Sequence, residues 1–364
     1  MAADLNSESG RRSVADVESR MPVRLILVML ALIPVNPAAQ TSPTPADDSP
    51  VVRGTVAFTL ADRALIPESV AYDPAARTFY VGSMYQRKIV RIGPDGKVSD
   101  FVPTAADGIW SVLGIKIDPV RRELWANACN LEDRSPPMMP DDPDTRGQGG
   151  LFRYSLQSGT LIRKYIVGWA MAPRCFNDLA FARDGTVYLS AGPDGIYRVT
   201  PDGARAELFA EFPSFINGIA ISDDGRRLFL GDYRGVQVMD LATRTAKPIT
   251  VPGGETLAGI DGLYIRGTTL VAVQNGLRSR PARVIQAELT PSLDAVTCVA
   301  VLDRNRPEFD IPTTGVLVGN ELFYVASSQL RRFSEDKTIL PREKLSESVI
   351  IRTPLQLPCG QSFR

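Results

Sequence analysis

Four oxygen-bearing side chains recur at one position of a repeated segment in this chain. Each is the first residue of a five-residue segment that continues mainly with apolar positions, and the four are Glu68, Asn177, Asn217 and Asp261. Two carboxylates and two amides offer only oxygen ligands, and the carboxylates give the set a charge of −2. Hard divalent cations, calcium above all, prefer such ligands. The chemistry indicated is that of an oxygen-ligated cation.

Two further segments share the pattern without contributing a carboxylate or an amide. The six segments begin at Glu68, Leu113, Asn177, Asn217, Asp261 and Thr314. A turn and a second strand rich in β-branched and aromatic residues follow each one. Repeats of about forty residues or more, each built of short strands, are typical of propellers. Because equivalent positions in a closed ring point to one axis, we expect the four oxygen-bearing side chains to converge there.

Outer strands and their turns complete each repeat, as at residues 94–96 and 201–203, which both read Pro-Asp-Gly. Four antiparallel strands in each of six units predict an all-β, six-bladed β-propeller that forms a single domain over residues 52–357. A solenoid of six units is the alternative, but it would need polar caps that the sequence lacks. Residues 53–58 or 348–352 could provide the outer strand of the last blade, and the sequence does not decide between them.

The charge balance and the absence of histidine exclude several functions. Lys and Arg number 41, as do Asp and Glu, so no basic excess indicates a nucleic-acid or anionic-membrane partner. The chain has no histidine, which excludes a Ser-His-Asp triad, a histidine base and any histidine-ligated metal. The expected partner is a small-molecule substrate, and the sequence does not indicate an oligomeric state.

An apolar run near the start predicts export. Residues 25–33 are an unbroken apolar stretch, too short to span a membrane and suited to the core of a signal peptide. We expect residues 1–39 to be that signal, with translation starting at Met21, and residues 40–51 to be a linker. A disordered tail with an accidental apolar patch is the alternative. The mature protein is then expected in the periplasm or secreted, without membrane attachment.

The four cysteines lack the spacing of zinc or redox motifs. Cys129 ends the second strand of blade two, and Cys175 lies two residues before Asn177 in the adjacent blade. Both should lie at the same face of the ring, so we predict that they form a disulfide. Cys298 and Cys359 would form the second pair.

A proline-rich and acidic insertion, residues 131–149, follows the second strand of blade two. That strand returns to the face that carries the four oxygen-bearing side chains. The insertion could cover the axial pocket as a lid, or it could be a solvated surface loop.

The sequence around these positions resembles the SMP-30/gluconolactonase/LRE-like family. The resemblance covers roughly residues 55–330 and rests on the segments Pro-Glu68-Ser-Val-Ala-Tyr-Asp, Arg174-Cys-Phe-Asn177-Asp, Ile-Asn217-Gly-Ile-Ala-Ile-Ser-Asp-Asp-Gly and Gly-Ile-Asp261-Gly-Leu. It implies a six-bladed propeller whose divalent cation is bound by Glu68, Asn177, Asn217 and Asp261. It also implies lactonase-type hydrolysis, with Asp261 as the catalytic acid and base.

The segments that would contact substrate depart from the family pattern. Arg174 lies three residues before Asn177 rather than two, and residues 190–192, Ser-Ala-Gly, lack an acidic residue found in sugar-lactone members. Arg174 and Asp232 are the candidate substrate-binding residues, although Asp232 could equally cap its own turn. Asp178 could be an alternative base, or it could orient its loop. We therefore expect a substrate other than a sugar lactone.

The expected function is that of an exported, metal-dependent hydrolase of lactones or similar esters. Calcium is the expected cation, with magnesium, manganese or zinc as alternatives, and no organic cofactor is expected. A non-enzymatic propeller that binds a ligand or a protein, with a structural cation, is the alternative, because a fold alone does not establish a function.

Overall fold

The structure is a computed structural model that describes residues 49–130, 145–169, 171–192, 195–275, 281–335 and 338–356. The predicted signal peptide, most of the linker, residues 131–144 of the insertion and Cys359 lie outside these residues. The described residues form 25 strands in six sheets and two short 3-10 helices, Ala106–Gly108 and Arg342–Lys344. No helix within them has the length and apolar character needed to cross a membrane.

The first four blades are each continuous in sequence and contain four antiparallel strands. Blade one contains β3 (Pro67–Asp73), β4 (Thr78–Ser83), β5 (Lys88–Ile92) and β6 (Val98–Val102). Blade two contains β7 (Ser111–Asp118), β8 (Glu123–Cys129), β9 (Gly149–Ser155) and β10 (Leu161–Val167). Blade three contains β11 (Cys175–Phe181), β12 (Val187–Gly192), β13 (Gly195–Val199) and β14 (Glu207–Glu211). Blade four contains β15 (Ile219–Ile221), β16 (Arg227–Gly231), β17 (Val236–Asp240) and β18 (Ala246–Pro248).

The last two blades include strands from both ends of the described chain. Blade five contains β19 (Ile260–Arg266), β20 (Thr269–Gln274), β21 (Arg283–Leu289), β22 (Val296–Arg304) and, at its outer edge, β1 (Val51–Val52). Blade six contains β23 (Gly315–Val318), β24 (Glu321–Val325), β25 (Ser348–Pro354) and, outermost, β2 (Thr55–Leu60). The two segments proposed for the outer strand therefore both contribute, and β2 closes the ring by pairing with β25.

Six apolar clusters fill the spaces between neighbouring blades, one at each of the six junctions. Tyr80 and Trp110 pack between blades one and two, and Trp125 and Phe176 pack between blades two and three. The remaining four clusters join blades three and four, four and five, five and six, and six and one. Because every blade packs on two neighbours, the ring is closed, and the predicted six-bladed propeller is confirmed.

Candidate metal centre

The inner strands carry an irregularity at the level of the predicted ligands. The strand register shifts between Pro67 and Ser69, between Phe176 and Leu179, and between Ile260 and Leu263. Glu68, Asn177 and Asp261 lie within these three bulges. A β-bulge adds a residue to one strand and redirects its side chain, which is why bulges are frequent beside functional sites. Local strand irregularity therefore aims these side chains away from the regular alternation of the sheet.

Asn217 reaches the same level by a different route. It precedes β15, and its backbone N–H donates to the carbonyl of Gly231 at 2.8 Å. The next residue, Gly218, has no space for a Cβ atom, which would contact the carbonyl oxygen of Asp261 in blade five. At Gly114 a Cβ atom would lie 2.5 Å from the carbonyl oxygen of Asn177. Glycine at these two positions lets neighbouring inner strands approach closely around the axis.

Blade six supports the centre through its hydroxyl groups. The Oγ1 atoms of Thr313 and Thr314 donate to the backbone carbonyl of Glu68, at 2.6 and 3.1 Å. Thr314, the member of the repeated position in this blade, therefore fixes the backbone of its neighbour in blade one.

One side-chain oxygen of each predicted ligand is buried without a hydrogen-bond partner. The four atoms are Glu68 Oε2, Asn177 Oδ1, Asn217 Oδ1 and Asp261 Oδ1. Only 4 % of Glu68 and 3 % of Asp261 is exposed. An unpaired buried polar group destabilises a fold, and an unpaired buried charge does so more strongly. Four such oxygens are the donor set of a hard divalent cation, so the residues present fit the cation that the sequence implies.

The ligand set contains only two carboxylates. Within the described residues, no three or more His, Cys, Asp or Glu side chains form a group that could hold a metal ion. The candidate centre therefore depends on the amide oxygens of Asn177 and Asn217 as much as on its charges.

Burial and nearby negative charges raise the pKa of both axial carboxyl groups. For Glu68, burial has the largest effect, the charges of Asp261 and Asp178 raise the pKa further, and Lys116 acts in the opposite direction. Burial raises the pKa of Asp261 to about 7, although its hydrogen bond with Asn275 acts against the change. Glu68 and Asp261 thus lie close enough to influence each other, and Asn217 also interacts with Asp261. A positive charge at this point would relieve the repulsion.

Asn275, which the sequence did not single out, orients Asp261. Its Nδ2 atom donates to Asp261 Oδ2 at 2.6 Å, so that one carboxylate oxygen is fixed and the other, Oδ1, has no partner. Asn275 follows β20, which pairs with β19 across the bulge. No sequence pattern distinguishes it from a turn asparagine.

Asp178 and Lys116 form an ion pair next to the centre. The Nζ atom of Lys116 lies 3.2 Å from each oxygen of Asp178, and the N–H of Leu179 donates to Asp178 Oδ1 at 2.8 Å. Since both oxygens of Asp178 are engaged, the geometry favours its role in orienting the loop. Sequence reasoning missed Lys116, although it is the only charged residue at the fourth position of the six repeated segments.

The side chains of the two candidate substrate-binding residues hydrogen-bond to nearby groups of the protein. Arg174 donates to the hydroxyl of Tyr197 at 3.2 Å and to the carbonyl of Pro173 at 2.9 Å. Asp232 is buried and accepts from Ser214 Oγ at 2.6 Å and from the N–H groups of Arg234 and Gly235. These contacts favour the capping role for Asp232.

A disulfide joins blades two and three beside the centre, as predicted. Cys129 and Cys175 are bonded, with their Cα atoms 5.1 Å apart. Cys175 begins β11, two residues before Asn177. Cys298 is also disulfide-bonded, and its predicted partner, Cys359, lies outside the described residues. The lid hypothesis for residues 131–149 stays untested, since most of that segment lies outside them too.

Comparison with solved structures identifies proteins that share this fold. A gluconolactonase from Xanthomonas campestris is 16 % identical with a TM-score of 0.54, and the match covers 86 % of this chain and 96 % of that one. A luciferin-regenerating enzyme is 14 % identical with a TM-score of 0.54, over 86 % of this chain and 96 % of that one. A calcium-binding regucalcin from Agrobacterium tumefaciens is 15 % identical with a TM-score of 0.53, over 83 % and 96 %.

The names of these three proteins agree with the family that the sequence resembles. No family model matches the sequence, and no curated protein gives a significant match. At identities of 14–16 % the likeness establishes the fold, shared with gluconolactonase, luciferin-regenerating enzyme and regucalcin structures. Substrate and metal have to be argued from the residues of this chain.

Proposed function

We propose that this protein is a metal-dependent hydrolase of lactones or similar esters, with a divalent cation held by Glu68, Asn177, Asn217 and Asp261. The observation that carries the proposal is the set of four buried oxygens, one from each of these residues, that have no hydrogen-bond partner. Gluconolactonases with the same fold make lactone hydrolysis the first reaction to test. Calcium is the expected cation because all four ligands are oxygen atoms.

A cation bound there would supply positive charge that polarises a carbonyl group and stabilises the oxyanion formed during hydrolysis. The chain supplies the proton transfers. Asn275 fixes Oδ2 of Asp261, and Oδ1, which has no hydrogen-bond partner, would be held loosely enough by the cation to accept a proton as well. Water adds to the carbonyl carbon, Asp261 takes the proton of that water, and the ring C–O bond breaks. Asp261 then returns the proton to the leaving oxygen.

Asp178 has a different role in this scheme. Its carboxylate is already paired with Lys116 and with a backbone N–H, so both of its oxygens are engaged. We assign it to holding the bulge that presents Asn177. The contacts of Arg174 and Asp232 give no support for sugar recognition, so we propose a lactone with aliphatic or aryl substituents as the substrate.

We also propose that the protein is exported. Residues 1–39 would be removed as a signal peptide, residues 40–51 would be a linker, and residues 52–357 would form the propeller domain. The disulfide between Cys129 and Cys175 is consistent with an oxidising compartment. Labelling of cell fractions with an antibody would test this, and retention of a full-length cytoplasmic protein would contradict it.

The central test measures hydrolysis and metal binding on one preparation. Chelated protein is titrated with calcium, magnesium, manganese or zinc, and its melting temperature is recorded with hydrolysis of aliphatic, aryl and sugar lactones. We expect one cation per chain, a higher melting temperature, and turnover that chelator removes. Asn217→Ala should reduce cation affinity, and Asn320→Ala, at an exposed turn, is the matched control.

The alternative is a binding propeller in which the cation is purely structural. The deep burial of Glu68 and Asp261 is the observation that favours it. Cation binding with a raised melting temperature, but without turnover of any lactone in the panel, would establish this alternative. Absence of cation binding would contradict both functions.

A further inference from the structure

Blade two differs from the other blades at the axis. Its repeated segment begins with Leu113, which cannot act as a cation ligand, and its fourth residue is Lys116. The other five blades have uncharged residues at that fourth position: Ala71, Ala180, Ala220, Tyr264 and Leu317. Of the two blades that contribute no proposed ligand, blade two therefore places a positive charge on its inner strand, whereas blade six does not.

Lys116 contacts the residue that follows a proposed ligand. Its Nζ atom is 3.2 Å from Oδ1 and 3.2 Å from Oδ2 of Asp178, the neighbour of Asn177. The same atom lies 5.7 Å from the centre of the Tyr264 ring. The Asp178 side chain is only 3 % exposed and that of Lys116 is 24 % exposed. The pair therefore connects blades two and three beside the metal centre.

The surroundings make this charge effective. A cavity of about 290 Å³ opens along the axis, and the side chains that line it are apolar apart from Lys116, Tyr72 and Tyr264. Charges beside an apolar wall are screened less than charges in water. The charges of Asp178 and Lys116 both act on Glu68, with opposite signs. Lys116 is thus within electrostatic range of the proposed ligands.

Lys116 changes the net charge of the groups around the proposed cation site. With a cation bound and all three carboxyl groups ionised, Glu68, Asp261 and Asp178 would contribute −3 and Lys116 +1, so the axial groups would sum to −2. Two positive charges from one divalent cation balance that sum. Without Lys116 the sum would be −3, which a trivalent ion balances.

We propose that Lys116 is a positioning residue that sets the charge of the metal centre, so that the centre selects a divalent over a trivalent cation. The inference rests on the cation site proposed above and adds to it the basis of charge selectivity. Lys116 does so by neutralising Asp178, which is not one of the four proposed ligands but is the neighbour of Asn177.

The experiment compares calcium with terbium(III), which prefers oxygen ligands but carries one more charge. Dissociation constants are measured by calorimetry and by terbium luminescence on chelated, full-length protein. In Lys116→Met we expect the affinity ratio of terbium to calcium to rise at least tenfold, because an added negative charge attracts a trivalent ion more strongly. Lys116→Arg keeps the charge and should stay within threefold of the unmodified protein.

Two further variants make the test independent of any one substitution. In Asp178→Asn the unpaired Lys116 should lower the ratio at least tenfold. The double variant Lys116→Met with Asp178→Asn restores a sum of −2 and should return the ratio to within threefold. These opposite shifts cannot arise from a change in folding stability alone.

The outcomes distinguish an effect of the Lys116 charge from an effect of packing. An unchanged ratio in folded Lys116→Met, or in Asp178→Asn if the first variant does not fold, would show that the ion pair only packs the blades. Equal shifts in Lys116→Arg and Lys116→Met would show that packing, rather than charge, matters. If the unmodified protein binds neither ion, the cation site itself is wrong, and that result is distinguishable from the others.

Discussion

Buried carboxylates at two places in this ring differ in what their oxygens contact. On the axis, Glu68 and Asp261 each keep one oxygen without a hydrogen-bond partner. At the junction of blades five and six, Asp303 is completely buried and both of its oxygens accept hydrogen bonds. The carboxylates are therefore buried at both places, but only at Asp303 do both oxygens have hydrogen-bond partners.

The contacts of Asp303 explain how the ring is held closed. Its Oδ1 atom accepts from the N–H groups of Arg53 and Gly54 at 2.9 and 3.1 Å and from Arg306 Nη1 at 2.8 Å. Its Oδ2 atom accepts from the hydroxyl of Tyr324 at 3.1 Å. Arg53 and Gly54 connect β1 on blade five to β2 on blade six. One carboxylate thus binds the crossing chain to both blades.

This contrast distinguishes a carboxylate that stabilises the fold from a carboxylate that is available to bind a ligand. A buried carboxylate with an arginine and several N–H donors contributes to stability, since its lost hydration is replaced. A buried carboxylate without such partners destabilises the fold unless a ligand replaces them. The axial pair resembles a binding site that has to be completed by a cation, whereas Asp303 is already complete.

The largest effect is expected at the closure. Asp303→Ala leaves two backbone N–H groups and the Tyr324 hydroxyl without their acceptor and removes one of the two carboxylates that pair with buried Arg306. The crossing segment is freed, so the free energy of unfolding should fall by about 3–5 kcal/mol. Chemical denaturation measures this. Asp100→Ala, which removes an exposed ion pair with Lys88, is the control and should cost about 1 kcal/mol or less. Equal losses in the two variants would remove the distinction drawn for Asp303.

A smaller effect of opposite sign is expected on the axis. With chelator present, Asp261→Asn should raise the free energy of unfolding by about 1 kcal/mol, because it removes an unpaired buried charge. Calcium at a hundred times its dissociation constant should add about 2.7 kcal/mol to the unmodified protein. The variant should gain nothing at that concentration and should lose lactone hydrolysis. A variant less stable than the chelated parent would contradict this view of the axis.

The smallest effect concerns Asp73, another buried carboxylate paired with an arginine. Burial has the largest single effect and raises its pKa, but Arg122 and the backbone N–H groups of Ala75 and Ala76 together outweigh burial and leave the pKa below its usual value. Because Arg122 is 40 % exposed, Asp73→Asn should cost only about 1 kcal/mol at pH 7.

The pH dependence follows from the direction of that pKa shift. The folded state binds the Asp73 proton less readily than the unfolded state, whose pKa is about 3.9. The difference between parent and variant should therefore be complete above about pH 4 and should shrink as the pH falls through the lower folded value. Unfolding curves between pH 7 and pH 2.5 would show this. A difference that grows in acid would mean that Asp73 gains nothing from Arg122.

Much of the fold was predictable because every blade repeats one pattern of apolar inner and second strands. The inner strands begin close to the repeated position, and the disulfide between Cys129 and Cys175 follows from their places in two adjacent blades. The closure was not decided, since residues 53–58 and 348–352 have similar strand patterns. β2 becomes the outer strand of blade six. Asp303 holds the residues just before β2 through contacts that span about 250 residues of sequence.

The candidate centre was predictable only in part. The four oxygen-bearing residues share one position of the repeat, and that shared position is visible in the sequence. Asn275 and Lys116 act through contacts made across a strand bulge and between blades, and neither contact is encoded in local sequence. Lys116 could have been singled out in the sequence, because it is the only charged residue at its position of the repeat. No such pattern distinguishes Asn275.

The pairing of β2 with β25 also determines how late in synthesis the ring can close. Thr55 pairs with Arg352, so β2, the first long strand among the described residues, has no partner until almost the whole ring exists. Contacts between residues so far apart in sequence form slowly, and an unpaired strand edge invites association with other chains. Closure is therefore expected to be the final and rate-limiting step of folding, and the proposed cation could bind tightly at the axis only after that step.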